Sequence, residues 1–286
     1  MKRKIGIIGN GFVGKAIASG FALHADVSIY DVDVSRSMNT LFDVVNYSSV
    51  VFISVPTPME NVDGGKIDLS IIDSVFNSII NVDKDPDFSY ENVVFVIKST
   101  VVPGTTENYQ AKYPNLRIVF NPEFLTERSA NLDFINTNRI VLGGESQDCE
   151  LVAQLYRDRF PYTKIISTDT KSAEMIKYAC NCFFATKVSF MNEIRLLSDK
   201  LECSWEDVLN GFISDGRIGN SHIDVPGHDG DFGFGGKCFP KDISAFIECF
   251  KDNQIEPTLI NAAWERNKSV RKNIDWAEIK GAVSKK

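Results

Sequence analysis

Ile5-Gly6-Ile7-Ile8-Gly9-Asn10-Gly11-Phe12-Val13-Gly14 is the stretch whose reading decides the fold. Residues 5–8 form a short apolar run, and the glycine-spaced turn after them opens a segment of helical periodicity. A second β-branched run, residues 27–30, ends at Asp31, 22 residues past Gly9. Strand, glycine turn, helix, strand and acidic residue in that order mark a dinucleotide site. The glycines permit a tight turn and close backbone approach to a pyrophosphate at a helix N-terminus, while Asp31 can accept hydrogen bonds from ribose hydroxyls. A carboxylate there repels a 2′-phosphate, which favours NAD over NADP; Arg36 is a nearby group that could accept such a phosphate.

Outward from this turn, short apolar runs at residues 50–55, 93–97, 117–120, 139–142 and 164–167 alternate with helix-like segments. Near-continuous apolar strands of this kind belong to a parallel sheet covered on both faces. After Asp169 the texture changes. Apolar positions from Ala173 through Ile176, Phe183 and Met191 to Leu197 predict one helix from Thr170 to about Glu202, followed by a Gly-rich loop at 227–236 and helical stretches near 240–251 and 257–276. The expected fold is α/β: a Rossmann-type doubly wound parallel sheet over residues 1–168, then an all-helical domain built on one long helix over 169–286. So long a helix suits a subunit or domain seam as well as a core.

The 286 residues accommodate two domains, and 43% hydrophobic with 24% charged residues is a globular composition. A net charge of −7 argues against general binding to nucleic acid or anionic membranes. No apolar run is long enough to span a bilayer and no signal peptide is evident, so a cytoplasmic protein is expected. Six cysteines are too few for a disulfide framework, and no metal site is expected.

Polar turns follow the later strands, at Val55-Pro56-Thr57-Pro58, Lys98-Ser99-Thr100-Val101-Val102-Pro103-Gly104 and Asn121-Pro122-Glu123-Phe124-Leu125-Thr126-Glu127. Ligands of open α/β sheets collect there, and a shielded Glu123 or Glu127 could exchange protons near neutrality. Cys238 lies in Gly233-Phe234-Gly235-Gly236-Lys237-Cys238-Phe239-Pro240-Lys241-Asp242. Pro240 reads as a first helical residue, so the thiol falls just before a helix N-terminus with Lys237 and Lys241 beside it, a setting that favours a nucleophilic thiolate. Lys177 and Asn181, four apart on the long helix, share one face in an otherwise apolar stretch.

These motifs, with Arg217-Ile218-Gly219-Asn220, occur in the order and spacing of the UDP-glucose/GDP-mannose 6-dehydrogenase family, which the chain resembles from Lys4 to about Asn267. The resemblance implies a four-electron oxidation of a nucleotide sugar at C6 with two NAD, through a Cys238 thiohemiacetal and thioester; UDP-glucose is the expected substrate and GDP-mannose the alternative. It makes Cys238 the nucleophile, with Asp242 and Thr100 placing or deprotonating the catalytic water. Glu123 becomes the acid/base of the thioester step, and Lys177 with Asn181 stabilises the oxyanion. Gly9, Asn10, Gly11, Phe12, Val13, Gly14, Asp31, Arg36, Thr57, Thr100 and Glu127 would line the NAD site. Glu123, Phe124, Leu125, Lys177, Asn181, Arg217, Phe232, Phe234 and Gly235 would hold the UDP-sugar. The resemblance also implies a homodimer through the long helix, with Arg217 reaching across it, and a short form lacking the family's C-terminal nucleotide-binding domain. An inactive binding or regulatory subunit that pairs with a longer relative, and a single-step oxidoreductase of the β-hydroxyacid type, are the competing readings. Cys238 argues against both.

Overall fold

The computed structural model describes residues 2–82 and 84–284, so the last two residues of the domain expected over 169–286 lie outside the described residues. The strands in chain order are β1 (Arg3–Ile8), β2 (Ala25–Tyr30), β3 (Val50–Ile53), β4 (Met59–Asn61), β5 (Gly64–Ile67), β6 (Val94–Ile97), β7 (Arg117–Phe120), β8 (Arg139–Gly143) and β9 (Lys164–Thr168). The α-helices are α1 (Phe12–Phe21), α2 (Leu41–Tyr47), α3 (Ser70–Asn81), α4 (Thr105–Lys112), α5 (Ala130–Ile135), α6 (Ser146–Arg159), α7 (Thr170–Lys200), α8 (Trp205–Ile213), α9 (Cys238–Asp252) and α10 (Thr258–Val270). Two compact units result: Met1–Thr57 with Leu69–Lys177, and Pro58–Asp68 with Tyr178–Lys286. The expected break at 168/169 thus differs from the division seen, which falls inside α7.

The first unit holds a seven-stranded sheet in the order β2-β1-β3-β6-β7-β8-β9. Its direction of winding reverses between β1 and β3, and the crevice beyond the carboxyl ends of those two strands is where such sheets take ligands. The central strands are buried along their whole length, because helices cover both faces and leave no side for polar residues. Phe21 of α1 anchors the core, with ring centroids 5.5 Å from Tyr156 and 5.7 Å from Phe134. Truncating such a ring costs about 3–5 kcal/mol. α1 seats closely because Gly20 lies flat against Phe134: a Cβ there would meet the ring at 2.2 Å.

All neighbouring strands of this sheet are parallel except β7 and β8, which run antiparallel. The β3 strand stops at Ile53 rather than residue 55. There Ser54 turns toward the glycine loop, its N–H donating to Ile8 O at 2.8 Å and its Oγ to Gly9 O at 2.8 Å.

In the second unit the β4–β5 hairpin, which periodicity does not reveal, is fixed to α9: Ser244 Oγ donates to Gly65 O at 2.8 Å. Tyr178 of α7 stacks on Phe246 of α9 at 5.3 Å, and Phe234 stacks on Trp264 of α10 at 6.1 Å. The helix expected at 257–276 ends at Val270. Arg271 N still bonds to Asn267 O, but Asp231 Oδ2 accepts the amides of Lys272 and Asn273 at 3.0 and 2.8 Å and so draws the backbone out of helical geometry. α8, unforeseen, is capped by Ser204. No helix among the described residues is long and apolar enough to cross a membrane.

Candidate active site

The glycine turn between β1 and α1 is built for a close ligand. Gly9 has φ +95°, which a side chain rarely tolerates, and a Cβ on Gly14 would lie 2.1 Å from Gly9 O. Above Gly11, by contrast, a Cβ would meet nothing within 4 Å, and no side chain caps α1. The helix N-terminus therefore presents its amide groups to open space, where a pyrophosphate is stabilised. Asp31 is held by two amides, Asn10 N at 2.7 Å on Oδ2 and Asp33 N at 2.9 Å on Oδ1. Asn10 donates from Nδ2 to Arg36 O at 2.7 Å, while its Oδ1 is buried without a partner, an acceptor available to a ligand hydroxyl. Phe12 and Val13 pack against the core and orient α1. Arg36 is half-exposed and pairs with Asp33 at 3.3 Å. Thr57 is buried and donates to Thr100 O at 2.9 Å, tying together the turns after β3 and β6. Glu127 is exposed at the start of a short 3-10 turn.

Beyond β7, Glu123 and Lys177 form a pair whose side chains are 7% and 2% exposed. Lys177 Nζ donates to Glu123 Oε1 at 2.9 Å and to Glu123 O at 2.6 Å, and Glu123 Oε2 accepts from Leu125 N at 2.7 Å. The buried ammonium that sequence alone leaves without an obvious partner thus has one 54 residues away. Removing either member strands a buried charge, a loss of about 3–5 kcal/mol. The Phe124 ring centroid lies 5.6 Å from Lys177 Nζ and 4.3 Å from the Arg139 guanidinium.

Two further ionisable residues here have no role assigned from sequence, although Lys98 opens one of the quoted polar turns. Lys98, at the end of β6, is buried, and its Nζ donates to Asn121 Oδ1 at 3.1 Å and to Pro122 O at 3.4 Å. Burial pushes its ammonium down to about 7; nearby Glu123 works against that shift and Lys177 adds to it. Glu174 of α7 is fully buried and caps α4, accepting from Gly104 N at 2.6 Å, Thr106 N at 2.8 Å and Thr106 Oγ1 at 2.6 Å. Burial raises its carboxyl to about 7 despite those three donors. A charged residue amid apolar ones at each position is the signal that could have flagged them.

In the second unit Cys238 is the first residue of α9 and Pro240 the third, so the thiol opens the helix instead of preceding it. This position exposes sulfur to the positive end of the helix dipole. One turn further, Asp242 is 1% exposed and accepts from Asn181 Nδ2 at 2.5 Å and from Lys241 Nζ. The charge of Lys241 is thereby committed to Asp242. Burial raises the thiols of Cys149 and Cys182 above their ordinary value, as befits small core residues.

The loop before Cys238 is held by its neighbours. Asn267 is 0% exposed; its Oδ1 accepts Phe234 N at 2.6 Å and its Nδ2 donates to Phe234 O at 3.0 Å. Asn192 Oδ1 accepts Gly233 N at 3.0 Å, and Asp275 accepts Gly236 N at 3.0 Å. Gly233 has φ +71°, and a Cβ there would sit 2.2 Å from Asn267 Oδ1; a Cβ on Gly235 would sit 2.2 Å from Arg271. Phe232 packs beside Met191, Ile223 and Val225, and the Phe234 ring is buried. Arg217 is exposed and paired with Asp215. Cys203 is exposed and lies in the loop between α7 and α8.

Residues 36–159 match the model of the UDP-glucose/GDP-mannose dehydrogenase family, NAD binding domain, and residues 171–269 match that family's central domain. The chain is 31% identical to the UDP-glucose 6-dehydrogenase AglM of Haloferax volcanii, the alignment covering 92% of this chain and 69% of the relative. It is 33% identical to the UDP-glucose 6-dehydrogenase of Rickettsia conorii over 79% of this chain and 50% of that one, so it spans about half the length of some curated relatives. A UDP-glucose dehydrogenase structure from Pyrobaculum islandicum superposes with a TM-score of 0.79 at 28% identity, over 94% of this chain and 68% of that chain. The open space over Gly11, the orphaned Asn10 Oδ1 and the anchored Asp31 fit the NAD that the family's first domain binds. Sequence, fold and glycine turn agree: the chain belongs to the UDP-glucose/GDP-mannose dehydrogenase family.

Proposed function

We propose that the protein oxidises the C6 hydroxymethyl group of a nucleotide sugar to the carboxylate, with UDP-glucose as substrate and GDP-mannose as the alternative the family admits. NAD, when bound, supplies the hydride acceptor for each of the two oxidations. Gly9–Gly14, Asp31, Thr57, Thr100 and Glu127 hold and orient it, and Arg36 closes the turn through its carbonyl. Glu123, Phe124, Leu125, Arg217, Phe232, Phe234 and Gly235 hold the sugar nucleotide.

The observation that carries the reading is Cys238 opening α9 with the buried Asn181–Asp242 pair one turn away. The thiolate adds to the C6 aldehyde, forming a carbon–sulfur bond as the carbonyl electrons move to oxygen. Lys177 and Asn181, one helical turn apart, stabilise that oxyanion. After the second oxidation the thioester carbon is attacked by water, the carbon–sulfur bond breaks and the thiolate returns. Asp242 and Thr100 place that water and Glu123 exchanges the proton. An alcohol oxidation that stopped at the aldehyde would need no thiolate; reaching the acid is eased by one.

We further infer a homodimer through α7, on which Phe183, Phe190 and Leu197 recur every seventh residue and are 65%, 48% and 55% exposed. A reduced cytoplasmic setting suits the thiolate. The test is to incubate the protein with UDP-glucose and NAD, count NADH formed per sugar consumed, and repeat with Cys238→Ala. Two NADH per sugar, lost in the variant, supports the reading; no NADH with either UDP-glucose or GDP-mannose refutes it.

A further inference from the structure

We propose that Lys98 is a positioning residue for Glu123, an inference that rests on the proposed acid/base role of that carboxyl. Lys98 and Lys177 grip successive carbonyls of one turn. Lys98 Nζ takes Pro122 O at 3.4 Å and Asn121 Oδ1 at 3.1 Å, whereas Lys177 takes Glu123 O at 2.6 Å and the carboxyl at 2.9 Å. Asn121 is fixed in turn, donating from Nδ2 to Val141 O at 2.7 Å and accepting from Tyr156 Oη at 2.6 Å. The Asn121–Pro122–Glu123 turn thus has little freedom, and the direction of the Glu123 side chain is set from both ends.

The choice of lysine calls for a reason beyond geometry. A neutral donor would satisfy a carbonyl and an amide oxygen, yet a buried ammonium carries a desolvation cost of several kcal/mol that such acceptors offset only in part. Lys98 acts on the backbone just before Glu123 and Lys177 on the Glu123 carboxyl, so that whenever Lys98 is protonated a positive charge is left over beside the Lys177–Glu123 pair. A cavity of about 340 Å³ opens at this point, with Lys98, Glu123, Asp133, Arg139 and Tyr156 in its wall. Negative charge developing near Glu123 during the reaction meets this excess, while the turn keeps the carboxyl from swinging away.

The test uses Lys98→Met, which keeps length and apolar stem but removes donors and charge, with Lys98→Gln as the milder variant should the first fail to fold. Kinetics with UDP-glucose and NAD are expected to show kcat reduced about tenfold or more, with the KM for NAD within about threefold, because the Lys98 side chain bonds to the 121–123 turn and not to the glycine turn. A crystal structure of the same variant is expected to show the turn displaced and the hydrogen bond from Lys177 Nζ to the Glu123 carboxyl broken. An active wild type whose variant keeps kcat within about twofold overturns the proposal. So does a variant structure in which both Lys177–Glu123 hydrogen bonds persist unchanged. The crystallographic result stands even if the wild type forms no NADH, an outcome that refutes the proposed reaction and not the positioning of the turn.

Discussion

Replacing Asn267 with leucine tests how the loop carrying Cys238 is held. Asn267 is wholly buried in α10 and makes two bonds to one residue, accepting Phe234 N at 2.6 Å and donating to Phe234 O at 3.0 Å. Leucine matches it in size and supplies neither group. Both main-chain atoms of Phe234 would be orphaned inside the protein, at about 1–3 kcal/mol each, or about 2–6 kcal/mol in all. Leucine recovers part of this through its apolar surface, which leaves an expected loss of about 2–4 kcal/mol. For a chain of this size each kcal/mol moves Tm by about 2–4 °C, so scanning calorimetry should report a fall of about 5–15 °C. Cys238 lies four residues beyond Phe234, and its alkylation by iodoacetamide should change rate in the variant. Asn267→Asp keeps an acceptor for Phe234 N but buries a carboxylate against Phe234 O, and should lose at least as much at neutral pH. A loss under about 1 kcal/mol for Asn267→Leu would refute the assignment, since it would mean that water or a shifted loop satisfies Phe234 as well as the amide does.

Glu174 gives the fold a pH dependence of definite sign. Its carboxyl moves from 4.5 to about 7 on folding, so the folded state binds the proton more tightly; this contribution is full below about 4.5 and is lost as pH rises through about 7. Urea unfolding of wild type and Glu174→Gln at pH 5 and pH 8 should show the wild type losing up to about 3 kcal/mol relative to the variant, and a pH-independent difference would count against the burial argument. Gly14→Ala would force a Cβ to 2.1 Å from Gly9 O. Calorimetric titration should find NAD binding reduced at least a hundredfold or abolished, and near-normal affinity would show that the turn is not the cofactor cradle.

The strand–glycine turn–helix unit of the proposed cofactor site was legible in sequence because its determinants are local. A strand, a turn that only glycine can make and an acid at the next strand's end lie within 31 residues, and each residue acts through its own backbone geometry. The long helix was legible too, with its start at Thr170 and its end within two residues, since periodicity over 31 residues leaves little ambiguity. The β4–β5 hairpin was not: three- and four-residue strands with glycines and charges carry no alternating pattern, and their pairing to α9 spans 179 residues of chain.

The sequence by itself therefore determined which residue types are present for the chemistry and where the dinucleotide turn lies. Only the tertiary structure decided what each buried polar group faces. Lys177 meets Glu123 across 54 residues and Asn181 meets Asp242 across 61. Lys98 closes on the same turn as Lys177, and Asn267 closes on the loop before Cys238. The physical reason is that spacing along a chain fixes directions over a few residues, whereas a buried charge or amide takes whichever partner the packed core brings within about 3 Å.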